Sequence, residues 1–351
     1  MLADKVRIGI IGAGGIAQGA HIPGYKRVAD QVELVAIADV VEPKARQAAA
    51  DHGFKTAYAS YEEMLAKESL DAVSVCVPNK FHAPVAIAAL QAGCHVICEK
   101  PPATTGAEAR AMADAAARAG RVLTFGFHFR FMPEVEAARR FAEDGAFGEI
   151  YFGRVTAQRR RGIPGWGVFT NKELQGGGPL IDIGVHALDA CLYVMGYPDP
   201  SEVLGVTYTK LGDKAPTIVG RSWNYKDYTV EDVCNALIRF ADGATLMLES
   251  SFVANIEPTE EMNVRLSGTR AGLKLFPLTI FGEEHGLLVN KTAAWQPRPA
   301  GGNAHLAEIA HFVRCVRGEA TPRSNAAEAV KISRLIEAIY KSAASGQLEK
   351  V

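Results

Sequence analysis

The sequence predicts an α/β protein of two domains, in which a doubly wound parallel sheet is followed by an antiparallel or mixed sheet with one inserted helix. Strand and helix patterns alternate over the first 127 residues, as in a parallel sheet with crossover helices. From residue 128 onwards long strand patterns dominate, and a length of 351 residues suits two domains. We therefore expect domains at 1–127 and 128–351, with the last helices able to pack back onto the first domain.

The first strand pattern, 6–11, runs into a glycine-rich turn that precedes a helix pattern. Its G-x-G-x-x-A spacing is formed by Gly12-Ala13-Gly14-Gly15-Ile16-Ala17. In such a turn Gly12 permits the sharp bend, Gly14 lets the backbone approach a pyrophosphate, and Ala17 lets the helix pack closely on the strand. The helix N-terminus adds N–H groups and a dipole that attract phosphate. The motif predicts a Rossmann-type dinucleotide site, with a ligand-free glycine turn as the alternative.

An acidic residue after the second strand pattern bears on the choice of cofactor. Asp39 lies 25 residues after Gly14, near the spacing at which a carboxylate binds the adenosine ribose. A carboxylate there accepts hydrogen bonds from the ribose diol and repels a 2′-phosphate, so Asp39 favours NAD over NADP. Lys44 and Arg46 follow closely and could serve a 2′-phosphate, which leaves NADP open. A solvated acid at a strand end is the other alternative.

The rest of the first domain continues the alternation of strands and helices. Pro23 predicts a break or bend at 20–25 in the first helix, and Ser60 with Glu63 predicts a capping box. The other elements expected here are the strands 32–38, 56–60, 72–78, 95–98 and 121–127 and the helices 43–51, 81–92 and 105–119.

Two loops at the carboxyl ends of parallel strands carry the residues expected near a cofactor. Pro78 and Asn79 lie on one loop, where His82 either lines the pocket or caps its own helix. Glu99, Lys100 and a following proline form the other. A lysine on such a stiff loop could stabilise the developing charge on a substrate oxygen, and partial burial would permit proton transfer. A solvated loop lysine is the alternative.

A second group of candidate residues follows three glycines and Pro179, at the start of a predicted helix over 182–196. Asp182 and His186 are four residues apart and therefore share one helix face. A carboxylate one turn from a histidine can tune its tautomer and basicity, which suits a general acid or base at a carbinol. An ordinary surface pair is the alternative.

The second domain is predicted to consist mainly of strands, with an Asp-Gly hairpin turn at 241–244. Arg159 and Arg161 alternate along one strand and could bind substrate hydroxyls or a carboxylate. Trp166, in a glycine-rich loop, could cover a sugar face or simply anchor the loop. The expected elements are the strands 149–161, 202–210, 232–241, 244–253, 261–267 and 286–290, the helices 133–143, 304–317 and 325–344, and an exposed connection at 297–302.

Composition and charge argue against several classes of protein. A formal net charge of −1 gives no electrostatic reason to expect nucleic acid or an anionic membrane as a partner. The six cysteines show no zinc-site spacing, so no metal is expected. There is no signal-peptide pattern and no apolar run of the ~18 residues that a membrane span needs. These features together predict a cytoplasmic enzyme without a membrane segment.

The combined motifs resemble the Gfo/Idh/MocA family of NAD(P)-dependent oxidoreductases, which includes glucose–fructose oxidoreductase and inositol dehydrogenase. The resemblance covers nearly the whole chain and is most specific at the Glu-Lys-Pro element and at the Asp-x-x-x-His pair. It implies a Rossmann domain followed by a domain with a large, open, mostly antiparallel sheet, whose outer face makes a homodimer or homotetramer. It rests on residues 12–17, Pro78-Asn79 with His82, Glu99-Lys100-Pro101, Asp182 with His186, Gly148-Glu149-Ile150 and the last helices.

The resemblance also implies roles for individual residues. Lys100 corresponds to a catalytic lysine at the reacting hydroxyl and the nicotinamide ribose, His186 to an acid/base histidine, and Asp182 to its orienting or substrate-binding partner. Which of Lys100 and His186 takes the proton is left open. The residues expected to bind the cofactor are Gly12, Gly14, Gly15, Ile16, Asp39, Pro78, Asn79, His82, Glu99 and Lys100.

The expected reaction is hydride transfer between NAD(P) and a secondary alcohol or ketone of a sugar, a sugar derivative or a cyclitol such as inositol. One alternative keeps NAD tightly bound and uses it in a redox-neutral elimination or epimerisation. The other is a non-catalytic, NAD(P)-binding regulatory protein. The presence of Lys100, Asp182 and His186 argues against the regulatory protein, since a sensor has no need of all three.

Overall fold

The computed structural model describes residues 5–218, 222–299 and 302–351. The chain forms two compact units. The first contains residues up to Phe131 together with Arg298–Val330, and the second contains Met132–Pro297 together with Lys331–Val351. A segment near the C-terminus therefore belongs to the N-terminal unit.

The first unit contains a six-stranded sheet in the order β3-β2-β1-β4-β5-β6, with every neighbouring pair parallel. This confirms the doubly wound parallel sheet. The strand order reverses between β1 and β4, which is the switch point where ligands bind in such sheets. The strands are β1 (Val6–Ile11), β2 (Val32–Ala38), β3 (Thr56–Tyr58), β4 (Ala72–Val75), β5 (His95–Cys98) and β6 (Leu123–Phe125).

Several helices accompany this sheet, and α9 completes the core of the unit. Ile309 and Phe312 of α9 belong to the same buried cluster as Ile8 and Ile10 of β1. Gly24 of α1 lies so close to Ile309 that an added Cβ would come within 2.6 Å of it. The helices are α1 (Ile22–Arg27), α2 (Glu42–His52), α3 (Tyr61–Lys67), α4 (His82–Gln91), α5 (Gly106–Ala119) and α9 (Ala304–Val316).

The break predicted near Pro23 takes a different form. Helical backbone continues from residue 15 to residue 27, with a π-helical turn at Ala17–His21 directly before α1. Pro23 cannot donate a backbone hydrogen bond to the preceding turn, and the wider π turn takes the place of a break.

The capping box predicted at Ser60 is only half formed. The Ser60 hydroxyl accepts the N–H of Glu63 (3.2 Å), but the Glu63 carboxylate pairs with Lys67. A complete box forms instead at the start of α5, where Thr105 and Glu108 bond each other reciprocally.

The second unit is built on a nine-stranded sheet in the order β14-β13-β12-β11-β7-β10-β9-β8-β15. Every pair is antiparallel except β7 with β10, so the prediction of a large, mostly antiparallel sheet is confirmed. The strands are β7 (Ile150–Arg159), β8 (Pro200–Tyr208), β9 (Val233–Phe240), β10 (Thr245–Ser251), β11 (Glu260–Gly268), β12 (Gly272–Lys274), β13 (Thr279–Glu284), β14 (Leu287–Thr292) and β15 (Glu349–Lys350).

Three of these strands, β12, β13 and β15, were not expected from the sequence. They are two to six residues long and only partly buried, so they lack the alternating pattern that reveals a strand. The strand predicted over 149–161 ends at Arg159, and Arg161 forms an isolated bridge to Val253. The Asp-Gly hairpin turn is confirmed between β9 and β10, with Gly243 at φ +94°.

The helices of this unit include one long apolar stretch. Lys172–Met195 could span a bilayer by length and composition, but 78% of its most apolar window is buried inside the protein, as in a core helix. The stretch carries Asp182 and Asp189, so it is not an uninterrupted apolar run, and it is weak evidence for a membrane. The helices are α6 (Pro133–Glu143), α7 (Lys172–Gln175), α8 (Val185–Met195) and the larger part of α10 (Ala326–Ser345).

Candidate active site

The glycine loop after β1 is tightly packed at Gly12 and leaves room for a ligand at Gly14 and Gly15. Gly12 has φ +97°, and an added Cβ would lie 2.3 Å from the carbonyl oxygen of Cys76, so only glycine fits. An added Cβ on Gly14 or Gly15 would meet no heavy atom of the described chain within 4 Å. The helix begins at Gly15, so the loop borders open space where its first N–H groups emerge.

Asp39 ties the end of β2 to this loop. One carboxylate oxygen accepts the N–H of Ala13 (2.8 Å) and the other accepts the N–H of Val41 (2.8 Å). The carboxylate keeps further lone pairs with which it can accept hydrogen bonds from a ribose. Arg46 could have bound a 2′-phosphate. Its Nε instead donates a hydrogen bond to the carboxylate of Glu42, one helical turn away (3.0 Å).

His82 links the loops that follow β4 and β5. Its ring is buried, with Nε2 2.9 Å from the carbonyl of Val77 and Nδ1 2.7 Å from the carbonyl of Pro101. Burial lowers the pKa of His82, while the two carbonyls and Glu99 oppose that effect. Both contacts are hydrogen bonds only when both ring nitrogens carry a proton. The lowered pKa leaves the ring neutral at pH 7 with a single N–H, so one of the two carbonyls accepts a hydrogen bond from it, and His82 contacts the main chain of both loops, at Val77 and at Pro101.

A buried polar chain supports the same loop from the other side. Nε2 of His21 donates to Glu99 (2.9 Å), and Nδ1 of His21 lies 3.0 Å from the hydroxyl of Ser74, which in turn contacts Tyr25 (2.7 Å). The other Glu99 oxygen accepts the N–H of Lys100 (3.2 Å). Burial alone would raise the pKa of Glu99, but the hydrogen bond and charge of His21 outweigh it and lower the pKa to about 2. Glu99 is therefore a permanent anion next to Lys100.

Two further histidines lie within electrostatic reach of Glu99 and Lys100. His128, just after β6, stacks on His305 of α9 with ring centroids 3.7 Å apart. Burial, and then the charge of His305, lowers the pKa of His128 to about 3, and burial also lowers the pKa of His305. Both imidazoles are therefore neutral at pH 7, and the charge of Lys100 contributes to lowering both pKa values.

Each of the three glycines before Asp182 lies where a side chain would strain the backbone or clash with another residue of the second unit. Gly176 ends α7 in the left-handed region, at φ +84°. An added Cβ on Gly177 would lie 2.0 Å from the Tyr340 hydroxyl, and one on Gly178 would lie 2.5 Å from the backbone of Glu231. The backbone of Gly177 and Gly178 therefore packs directly against Tyr340 and Glu231.

That pair anchors the segment that carries Asp182 and His186. The Glu231 carboxylate accepts the N–H of Gly178 (2.9 Å) and the hydroxyl of Tyr340 (2.8 Å), and burial raises its pKa. A π-helical turn then covers Leu180–Gly184 before α8 begins. Asp182 and His186 are half-buried along this helical segment. Single π turns inside helices occur frequently at functional sites.

Arg159, Arg161 and Trp166, the weaker candidates from the sequence, line one groove in the second unit. The structure therefore brings these three together, and it brings the cofactor candidates together at the carboxyl ends of β1, β2, β4 and β5. Sequence reasoning missed His21, His128, His305, Glu231 and Tyr340. The signal for His21 was its position two residues before Pro23, inside the segment 20–25 that was predicted to be irregular.

The first unit fits a dinucleotide. The space beside Gly14 and Gly15, the helix starting there and the carboxylate of Asp39 would hold the pyrophosphate and the adenosine ribose. The fold and this loop define the class of Rossmann-type dinucleotide-binding proteins. The Lys100 loop follows the strand next to β4, across the switch point from β1.

The comparisons with known proteins give the family. Residues 6–127 match the oxidoreductase family with an NAD-binding Rossmann fold, and residues 135–274 match the GFO/IDH/MocA C-terminal domain. The chain is 40% identical over 346 residues to the D-glucoside 3-dehydrogenase of Escherichia coli K12, covering 99% of this chain and 97% of that protein. The chain belongs to the Gfo/Idh/MocA family of oxidoreductases, and its first unit carries that family's NAD-binding domain.

Two other similarities extend over the same length. The D-xylose 1-dehydrogenase (NADP(+)) 2 of Haloferax volcanii is 30% identical, covering 96% of this chain and 97% of that protein. The structure of a levoglucosan dehydrogenase in complex with NADH and levoglucosan is similar with a TM-score of 0.85 at 25% identity, covering 99% of this chain and all of that one. The fold and the expected oxidoreductase class are thereby confirmed.

Proposed function

We propose that this enzyme transfers a hydride between NAD and a secondary hydroxyl, or the matching ketone, of a sugar or sugar derivative. The observation that carries the proposal is the support of the Lys100 loop by buried groups on both sides. His21 and Glu99 fix it before Lys100, and His82 fixes it after Lys100. The names of the relatives, which act on a glucoside, xylose and levoglucosan, support a carbohydrate as substrate.

In this proposal the chain manages the hydroxyl proton. Bound NAD supplies the hydride acceptor, and NADH the donor in the reverse direction. The ammonium of Lys100 donates a hydrogen bond to the reacting oxygen and stabilises its negative charge. His186 takes up or returns the proton, with Asp182 one turn away to orient the ring. The proposal requires Lys100 and His186 to reach one substrate hydroxyl.

The test is a substrate screen with NAD and NADP, followed by absorbance at 340 nm. We expect NADH to accumulate with pyranosides or 1,6-anhydro sugars, and less with inositols. Turnover of a sugar without net NADH, and with NAD retained through purification, would favour the redox-neutral alternative. Tight NAD binding with no turnover of any sugar or polyol would overturn the proposal in favour of a regulatory protein.

We also propose that Asp39 makes the enzyme prefer NAD. The substitution Asp39→Asn keeps the size of the side chain but removes the charge that repels a 2′-phosphate. We expect kcat/KM for NADP, relative to NAD, to rise by about tenfold, which corresponds to about 1.4 kcal/mol. Glu33→Gln, which removes a carboxylate at the other end of β2, serves as the control. An unchanged ratio in Asp39→Asn would contradict this role.

For the assembly, we propose a homodimer or homotetramer formed through the outer face of the large sheet. Leu204, Leu237 and Met247 are exposed and lie side by side across β8, β9 and β10. A contiguous apolar row of this kind indicates an interaction surface. Leu237→Glu should reduce the mass measured by sedimentation, whereas Leu287→Glu on the far hairpin should not. A monomeric wild-type protein would contradict the proposal.

The cytoplasm is the proposed location. It is supported by the six cysteines, which are all buried free thiols, as expected in a reducing compartment. Activity found outside the cytoplasmic fraction of the source cells would contradict it.

A further inference from the structure

The groove in the second unit has a size and a chemistry that the reaction at a single hydroxyl does not require. Its volume is about 810 Å³, within the usual range for ligand sites. Polar and apolar groups share its lining, including Ile163, Trp166 and Glu260 with three consecutive arginines, Arg159 to Arg161. The lining has a formal excess of two positive charges, because Glu260 is its only acidic residue among those the structure describes.

The sheet register places this groove close to the segment that carries Asp182. Gly184, at the end of the π turn, packs against Ser250 of β10, and Ser250 pairs with Ala157 of β7. Arg159 is two residues beyond Ala157, so it lies on the same face of the sheet, about 7 Å further along the strand. A substrate bound beside Asp182 therefore has the groove next to it.

The arginines of the groove are engaged to different degrees. Arg161 is bound through Nη1 to the carbonyl of Ala254 (3.0 Å) and through Nη2 to Asn255 (2.6 Å). Arg159 is held by Nε to Glu260 (3.0 Å), but its Nη1 and Nη2 donate to no acceptor among residues 5–218, 222–299 and 302–351. Glu260 thus fixes the guanidinium and leaves its two terminal nitrogens for an anion, the geometry that binds a carboxylate or a phosphate.

Trp166 supplies the apolar part of the groove. Its ring is 69% exposed and touches Phe169 edge to face, with centroids 6.4 Å apart. An indole so exposed offers a flat face on which a sugar or aromatic ring can stack.

We propose that this groove binds the distal part of a glycoside substrate, a second ring that carries a carboxylate or a phosphate. Arg159 pairs with the anion and Trp166 stacks on the ring. This inference rests on the proposed function, because the glycosyl ring to be oxidised would lie beside Asp182 and His186.

The test compares three glucosides that differ only in the group on the distal ring. They are 4-carboxyphenyl β-D-glucopyranoside, its neutral carboxamide and the corresponding aryl phosphate. We expect kcat/KM of the wild type to be at least tenfold higher for one or both anionic glucosides than for the carboxamide. The anionic glucoside with the higher kcat/KM shows whether the groove favours a carboxylate or a phosphate. Arg159→Gln should bring that ratio close to one. Arg154→Gln, on the opposite face of the same strand, should leave it unchanged.

A binding measurement separates failure of the groove from failure of the proposed function. Without added NAD, the carboxylate glucoside should quench tryptophan fluorescence in the wild type and much less in Trp166→Phe. Glu260→Gln keeps a side-chain oxygen that can accept the Nε–H of Arg159 but removes the negative charge from the groove, so anion binding should strengthen. This variant keeps the test valid if Arg159→Gln does not fold. Quenching by the anions alone, without any oxidation of substrate, would overturn the proposed hydride transfer but support anion binding in the groove. Equal kcat/KM and equal quenching for the anions and the carboxamide would overturn the proposal that the groove binds an anionic distal ring.

Discussion

Replacing Lys100 with methionine is expected to lower kcat by about a thousandfold, whereas NAD binding should weaken by less than about tenfold, because the cofactor loses only one of its hydrogen bonds. Methionine keeps an unbranched chain of similar length but removes the ammonium that would stabilise the reacting oxygen. The loop should keep its shape, because Glu99 bonds the backbone N–H of Lys100 and His82 bonds the carbonyl of Pro101. The measurement is steady-state kcat on the best substrate of the screen, with NAD affinity by fluorescence titration.

A second substitution tests whether Lys100 and His186 serve the same hydroxyl. His186→Asn alone should also reduce kcat strongly, and the double variant should lose little more than the worse single variant, because groups that act as a unit are non-additive. Lys67→Met, at an exposed surface pair, serves as the control for loss of a lysine. A Lys100→Met enzyme that keeps more than a tenth of wild-type kcat would remove the lysine from the mechanism. Strictly additive losses would argue against a shared hydroxyl.

Replacing Gly12 with alanine is expected to cost about 3 kcal/mol or more of folding free energy. The new methyl group would lie 2.3 Å from the carbonyl oxygen of Cys76, and the backbone at φ +97° strains any residue other than glycine. Neither the end of β1 nor the loop after β4 can move without disturbing the centre of the parallel sheet. The expected result is a large fall in the urea midpoint, or insoluble protein.

Two other glycines separate the causes of that loss. Gly53→Ala, at φ +80° with open space around its Cβ, should cost only the backbone strain, about 1 kcal/mol. Gly14→Ala has neither strain nor clash, so its urea midpoint should match the wild type. Its methyl group would occupy the space where the backbone meets the pyrophosphate, and the Kd for NAD should rise at least tenfold. Unchanged NAD affinity in Gly14→Ala would contradict the proposal that the glycine loop binds the pyrophosphate of NAD.

The sequence predicted most of the architecture because that part of the fold has a local signature. Buried parallel strands read as short apolar runs, and glycines or prolines mark where helices begin and end. A parallel sheet in the first domain and an antiparallel or mixed sheet in the second were expected on these grounds, and both are present. The loops that carry Asp39, Lys100 and Asp182 were found because each follows a recognisable strand or glycine run.

Where local signals were weak, the predictions failed or were incomplete. Pro23 predicts a break, yet the helix passes through a π turn instead, because a proline removes one donor without ending the helix. Ser60 and Glu63 have the spacing of a capping box, but Lys67 competes for the Glu63 carboxylate. The strands β12 and β15 gave no pattern, since two or three residues cannot show a period, and the six residues of β13 do not alternate between buried and exposed.

The sequence by itself determined the class of the fold, the glycine loop and the identity of the residues proposed to act on substrate and cofactor. Only the tertiary structure decided what supports them: the His21 and Glu99 pair, the stack of His128 on His305, and the Glu231 and Tyr340 anchor. It also decided that Arg159 and Trp166 share one groove. The reason is physical. Periodicity records which face of an element is buried, whereas a contact between groups far apart in the chain depends on how the folded elements pack and leaves no spacing in the sequence.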